Sequence, residues 1–111
     1  MTQAWVVLSR PDRRDVSAPT EDQLAAALAD VYGGNGSATL KFGYDDGLMY
    51  QVEVGQDGAL RYEEWSDRDC EIALATPRHM SCKQEVALQI WKWLAQRQVA
   101  KIRSQAWASG D

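Results

Sequence analysis

From residue 37 to residue 54 the chain alternates with a period of two. Ala38, Leu40, Phe42 and Tyr44 interleave with Thr39, Lys41 and Gly43, and Leu48, Tyr50, Val52 and Val54 interleave with Met49, Gln51 and Glu53. This is the pattern of strands that bury one face. Asp45-Asp46-Gly47 between the runs predicts a three-residue hairpin loop in which the glycine supplies positive φ. Setting Tyr44 opposite Leu48 brings Phe42 to Tyr50, Leu40 to Val52 and Ala38 to Val54, so every apolar residue lands on one face. A second loop over 55–59 leads into a third strand, and pairing Val54 with Leu60 and Val52 with Tyr62 continues that face. The opposite face then carries Thr39, Lys41, Gly43, Met49, Gln51, Glu53, Arg61, Glu63 and Trp65, with Glu53 opposite Arg61 and Met49 opposite Trp65. Polar residues dominate it, so it is expected to meet water or a partner.

The remaining elements follow from other signals. Residues 5–9 read as a first strand, and 10–19, with two prolines, as a loop. Thr20 followed by Gln23 has capping-box spacing, and Leu24, Leu28, Val31 and Tyr32 then recur at helical intervals until Gly33-Gly34 stops them. Residues 70–76 predict a fourth strand, ended by Pro77. Ser81 with Gln84 repeats the capping-box spacing and opens the strongest helix, with a buried stripe of Val86, Ile90, Trp93 and Leu94. Residues 99–107 extend this helix or form a final strand; the pattern does not decide between them. The expected fold is a single α+β domain: an antiparallel sheet of four to five strands, with two main helices, at 21–32 and 82–96, on one face.

Length permits one core and not two, since the chain has 111 residues. The short apolar run at 4–8 has no basic leader and no small-residue cleavage site, so it reads as a strand and not a signal peptide. No run approaches the length of a membrane span. Cys70 and Cys82 are too few for a disulfide scaffold, and the expected compartment is the cytoplasm. Charge changes the picture more. Between residues 45 and 71 lie nine acids against two bases, or −7, while the rest of the chain holds seven acids against ten bases, or +3. Such a segment repels phosphates, so nucleic acid is not expected as a direct ligand, whereas a basic partner is attracted.

Candidate chemistry is sparse. Cys82 in the first turn of the second long helix, with His79 nearby as a base, is the best enzymatic constellation. The chain has one histidine and no evident third group, and cysteine is a residue commonly buried, so a structural role outweighs it. Cys70, His79 and Cys82 lack the ligand number and the paired spacing of a structural zinc site. Glu63 and Glu64 are adjacent on a strand and point to opposite faces, so they do not share a site. Asp45 and Asp46 have a turn role, and Gly33-Gly34-Asn35-Gly36 follows a helix where a phosphate loop precedes one. Neither a catalytic residue nor a metal or other cofactor is expected.

The acidic segment is interleaved with Tyr44, Tyr62 and Trp65, and an aromatic anchor rimmed by charge is the form of a protein-binding hot spot. The expected partner-binding residues are Asp45, Asp46, Met49, Glu53, Asp57, Glu63, Trp65, Asp67, Asp69 and Glu71. In size, acidity, the run Leu40-Lys41-Phe42-Gly43-Tyr44-Asp45-Asp46-Gly47 and the closing stretch 81–94 followed by Trp107, the chain resembles immunity proteins of bacterial contact-dependent growth inhibition and other polymorphic toxin systems. The resemblance is one of general plan over 37–107. It implies a protein without enzymatic activity that binds a cognate toxin domain, a basic nuclease, and blocks its substrate groove, with an acidic surface standing in for phosphate charge. An adaptor or chaperone-like protein with several partners is the alternative class, and a small thiol enzyme using Cys82 a third.

Overall fold

The computed structural model describes residues 4–11, 14–44, 47–55, 58–66, 73–74, 77–105 and 107–109. Along the chain run β1 (Ala4–Ser9), β2 (Asp15–Ser17), α1 (Glu21–Tyr32), β3 (Ala38–Tyr44), β4 (Met49–Val54), β5 (Ala59–Trp65), β6 (Arg78–Ser81), α2 (Gln84–Ala95), α3 (Val99–Arg103) and β7 (Ala108–Ser109). The strands form one seven-stranded sheet in the order β2-β1-β3-β4-β5-β6-β7, antiparallel throughout. The α+β class is as expected. The additional strands are the short ones, β2, β6 and β7, which lie toward the edges.

The central register is the one alternation dictates. Phe42 pairs with Tyr50, Leu40 with Val52 and Ala38 with Val54; Val54 then pairs with Leu60 and Val52 with Tyr62. Leu8, Leu40, Phe42, Val52, Leu60 and Tyr62 are buried in one cluster with Leu24, Leu28 and Val31 of α1 and Ile90, Trp91 and Leu94 of α2. Both long helices therefore cover a single face of the sheet. Burial of this apolar surface is the main force that joins the layers.

α1 begins where the capping box places it. The Thr20 N–H donates to Gln23 Oε1 at 2.8 Å, and the Gln23 N–H donates to Thr20 Oγ1 at 3.2 Å. The second capping box does not form. Ser81 is the last residue of β6, and the N-cap of α2 is Lys83, which makes no side-chain capping bond. The buried stripe of α2 is correspondingly rotated to Ala87, Ile90, Trp91 and Leu94, while Val86 is 40% exposed and Trp93 only partly buried. Trp91 decides the rotation, because its indole N–H donates to the Val52 carbonyl at 3.1 Å inside the core. α2 ends in a Schellman motif in which Gln98 N–H donates to the Trp93 carbonyl at 2.8 Å and Arg97 N–H to Leu94 at 3.1 Å. Arg97 occupies the left-handed position, φ 64°, where glycine is the common residue.

Most of the expected fourth strand at 70–76 lies outside the described residues; Ala73 makes an isolated bridge to Trp65. The next ladder on β5 comes after Pro77, where β6 pairs Leu60 with Met80 and Arg61 with His79. Residues 99–107 split: 99–103 form the short α3, separate from α2, and the chain reaches β7 past Trp107.

Candidate functional site

The face of the sheet without helices is built as rows of side chains read across the register. One row at the end of the sheet holds Trp5, Gly43, Met49 and Trp65. The next holds Ser17, Val7, Lys41, Gln51 and Glu63, and the third Asp15, Ser9, Thr39, Glu53, Arg61 and His79. The first row is an apolar seam. The Trp5 ring lies over Gly43 so closely that a Cβ there would overlap it and stand 2.8 Å from the Leu48 carbonyl oxygen. Met49, 1% exposed, is closed off in this row, so it is not the exposed contact residue expected from its position. Trp65 is half-buried, and its indole N–H is sealed from solvent without a hydrogen-bond partner among the described residues. Trp5 is the residue the sequence reading of this face omitted; a glycine inside an otherwise alternating strand is the signal that a neighbour approaches closely.

The two central glutamates are not free acids. Glu63, 7% exposed, pairs with Arg61 of its own strand at 3.1 Å and accepts a hydrogen bond from Nε2 of Gln51 across the register, so it is a member of a closed group and not a docking carboxylate. Glu64 points to the helix-covered side, as alternation requires. There Arg103 of α3 donates to it through Nε at 2.9 Å and a terminal nitrogen at 2.8 Å, and the Tyr62 hydroxyl donates at 2.8 Å. Burial pushes the Glu64 carboxyl up, but the Arg103 and Tyr62 hydrogen bonds and the positive charges of Arg103 and Arg78 outweigh it, and the group sits below its ordinary value. The Tyr62 hydroxyl is raised, by burial first and then by Glu64. Trp107 stacks on the Tyr62 ring at 5.6 Å, with its indole N–H on the Ile102 carbonyl, which fixes the segment after α3 over this buried group.

Among the described residues, then, the helix-free face has acids Asp15, Glu53 and Glu63 against bases Lys41 and Arg61, close to balance. Glu53 is exposed. Asp45, Asp46, Asp57, Asp67, Asp69 and Glu71 lie outside the described residues. The strand ends that flank all of these but Asp57 are described. Tyr44 ends β3, Met49 begins β4 and Trp65 ends β5, and the pairings Gly43 with Met49 and Met49 with Trp65 put these three points at one end of the sheet. In sequence, Asp45 and Asp46 follow Tyr44, and Asp67, Asp69 and Glu71 follow Trp65, both strand ends at this end of the sheet, whereas Asp57 belongs to the connection between β4 and β5 at the other end.

The Cys82 constellation separates. His79 shares the helix-free face with its partner Arg61, while Met80 and Cys82 pack against the core. Burial raises the Cys82 thiol, and a hydrogen bond with Tyr32 only partly offsets this, so the thiolate is disfavoured. The Tyr32 hydroxyl donates to the Cys82 carbonyl at 2.9 Å and is itself pushed up to about 12, by burial first and then by Cys82. Cys70 lies outside the described residues, and no group of three or more potential metal ligands occurs among the described residues. No described helix is long and apolar enough to cross a membrane.

Comparison with known proteins finds no matching protein family, no matching curated protein and no matching solved structure.

Proposed function

We propose that this chain is an immunity protein, a binder without catalytic activity that neutralises one cognate toxin domain, a basic nuclease, in the cytoplasm of the cell that makes both. The observation that supports this reading is the placement of charge. Asp45 and Asp46 follow β3, and Asp67, Asp69 and Glu71 follow β5, two strands whose ends flank the start of β4 at the end of the sheet that carries Trp5 and Trp65. With Glu63 and Glu64 neutralised inside the fold, these acids carry most of the field that draws in a basic groove. Trp65 stands at the exit of one of them and supplies apolar contact beside the charge.

The test is co-expression. The chain is produced together with the C-terminal domain encoded by the adjoining reading frame, and growth is followed with and without it. Relief of arrest by that domain, and by no unrelated toxin domain, is the expected result. Arrest that persists, or equal relief from several unrelated toxins, contradicts the reading, the latter in favour of an adaptor with many partners.

A further inference from the structure

We infer that the outer edge of β1 at Ala4–Val6 is a strand-addition site for an extended peptide segment of another protein that carries a carboxylate, received beside Arg97. This inference is independent of the toxin-binding reading. β2 covers only half of β1, pairing Val7 with Ser17, Leu8 with Val16 and Ser9 with Asp15. The ladder then closes with a single bond from the Ala18 N–H to the Val6 carbonyl at 2.8 Å. Ala18 turns away in the left-handed region, φ 50°, and Pro19 has no N–H to continue. Because N–H and C=O of alternate residues in an antiparallel strand point to the same side, the Val6 N–H and both backbone groups of Ala4 face this open edge. No described residue is paired with them there.

The edge is not flush with solvent. A hollow of about 420 Å³ lies along it, with Ala4 and Val6 on one side, Ala18 and Pro19 at the end of β2, and Ala95 and Arg97 at the end of α2. Its walls are largely apolar, Ser17 apart, and its charged residue is Arg97, whose side chain makes no ion pair among the described residues. Unpaired strand groups select an extended backbone, the apolar walls receive alternate side chains, and the guanidinium selects a carboxylate.

The probe is an acetylated Thr-Val-Thr-Val-Val-Asp peptide with a free C-terminus, titrated into the full chain and followed by amide chemical shifts. Saturable shifts centred on Ala4, Val6, Ala18 and Arg97 are expected, together with slowed exchange of the Val6 N–H. The uncharged version, with Asn and a C-terminal amide, and the Arg97→Gln variant should each weaken binding by about tenfold, the scale of one charge-assisted hydrogen bond. A peptide N-methylated on alternate amides should not bind. Absence of saturable shifts, equal binding of the charged and uncharged peptides, or shifts that depend on protein concentration alone, marking pairing between copies of the chain, would each overturn the inference.

Discussion

Glu63 and Glu64 are neighbours on β5, both buried, and they belong to different kinds of structure. Glu63 on the helix-free side is neutralised by groups within its own sheet, Arg61 and Gln51. Glu64 on the covered side is neutralised from α3, by an arginine 39 residues away in sequence, and is sealed by Tyr62 and Trp107. The covered face is therefore a long-range structure in which helices and sheet hold each other. The helix-free face is organised by strand register alone. Substitutions on the first should register as stability; those on the second should leave more of it intact and reach whatever docks there.

The largest expected effect is on the covered face. Trp91→Ala removes a fully buried ring and leaves the Val52 carbonyl without its donor, a loss of about 3–5 kcal/mol that chemical denaturation should read as a much lower midpoint. Arg103→Ala comes next, at about 2 kcal/mol, less than a fully buried pair because the Arg103 side chain is 47% exposed. Its pH dependence carries a sign. The Glu64 carboxyl is lowered in the folded protein, so its contribution is present above the ordinary carboxylate value and lost as pH falls through the lower folded value. In Arg103→Ala only burial and weaker partners remain, and acid destabilisation should begin at higher pH. An unchanged acid limb would mean that the pair does not hold α3.

On the helix-free face, Gly43→Ala should displace the Trp5 ring at a cost of about 1–3 kcal/mol, the range for overpacking, and Trp fluorescence should shift while the Trp91 environment stays native. The smallest pair compares two caps that look alike in sequence. Thr20→Ala should cost about 1 kcal/mol, because both capping-box bonds exist, and Ser81→Ala should fall within about 0.5 kcal/mol, because Ser81 caps nothing. Equal losses by thermal melting would show that Ser81 does serve α2.

That last pair also marks the limit of what sequence alone conveys. Thr20-x-x-Gln23 and Ser81-x-x-Gln84 are equivalent as local strings, and the difference lies in β5, whose Leu60 draws Met80 into a ladder and so keeps Ser81 in a strand. The β3-β4-β5 register was readable because period two and one turn glycine over-determine it. In α2, Ile90 and Leu94 are buried as the spacing predicts, whereas Ala87 and Trp91 take the places expected for Val86 and Trp93; Trp91 and Trp93 are equally apolar, and only the Val52 carbonyl across the core distinguishes them. At the candidate site, parity assigned faces correctly, so Met49 and Trp65 do share the helix-free side. It carries no information on coverage: Met49 is buried in its row, and Glu63 is enclosed by its cross-strand neighbour Gln51 and by Arg61 of its own strand. Cys82 and His79 separate because His79 lies within β6 and Cys82 follows its end, ahead of the N-cap Lys83, so no helical turn brings them together.

The proposed role of the acids that follow β3 and β5 is open to one direct measurement, the association rate with the proposed toxin domain as a function of salt, for the natural chain and for the combined Asp45→Asn, Asp46→Asn, Asp67→Asn, Asp69→Asn variant. If these charges steer encounter, the variant should be slower by roughly tenfold at low ionic strength, with the two rates converging in high salt and the melting temperature unchanged. Equal rates at every salt concentration, or a slower rate accompanied by a lower melting temperature, would contradict a steering role for the acidic segment.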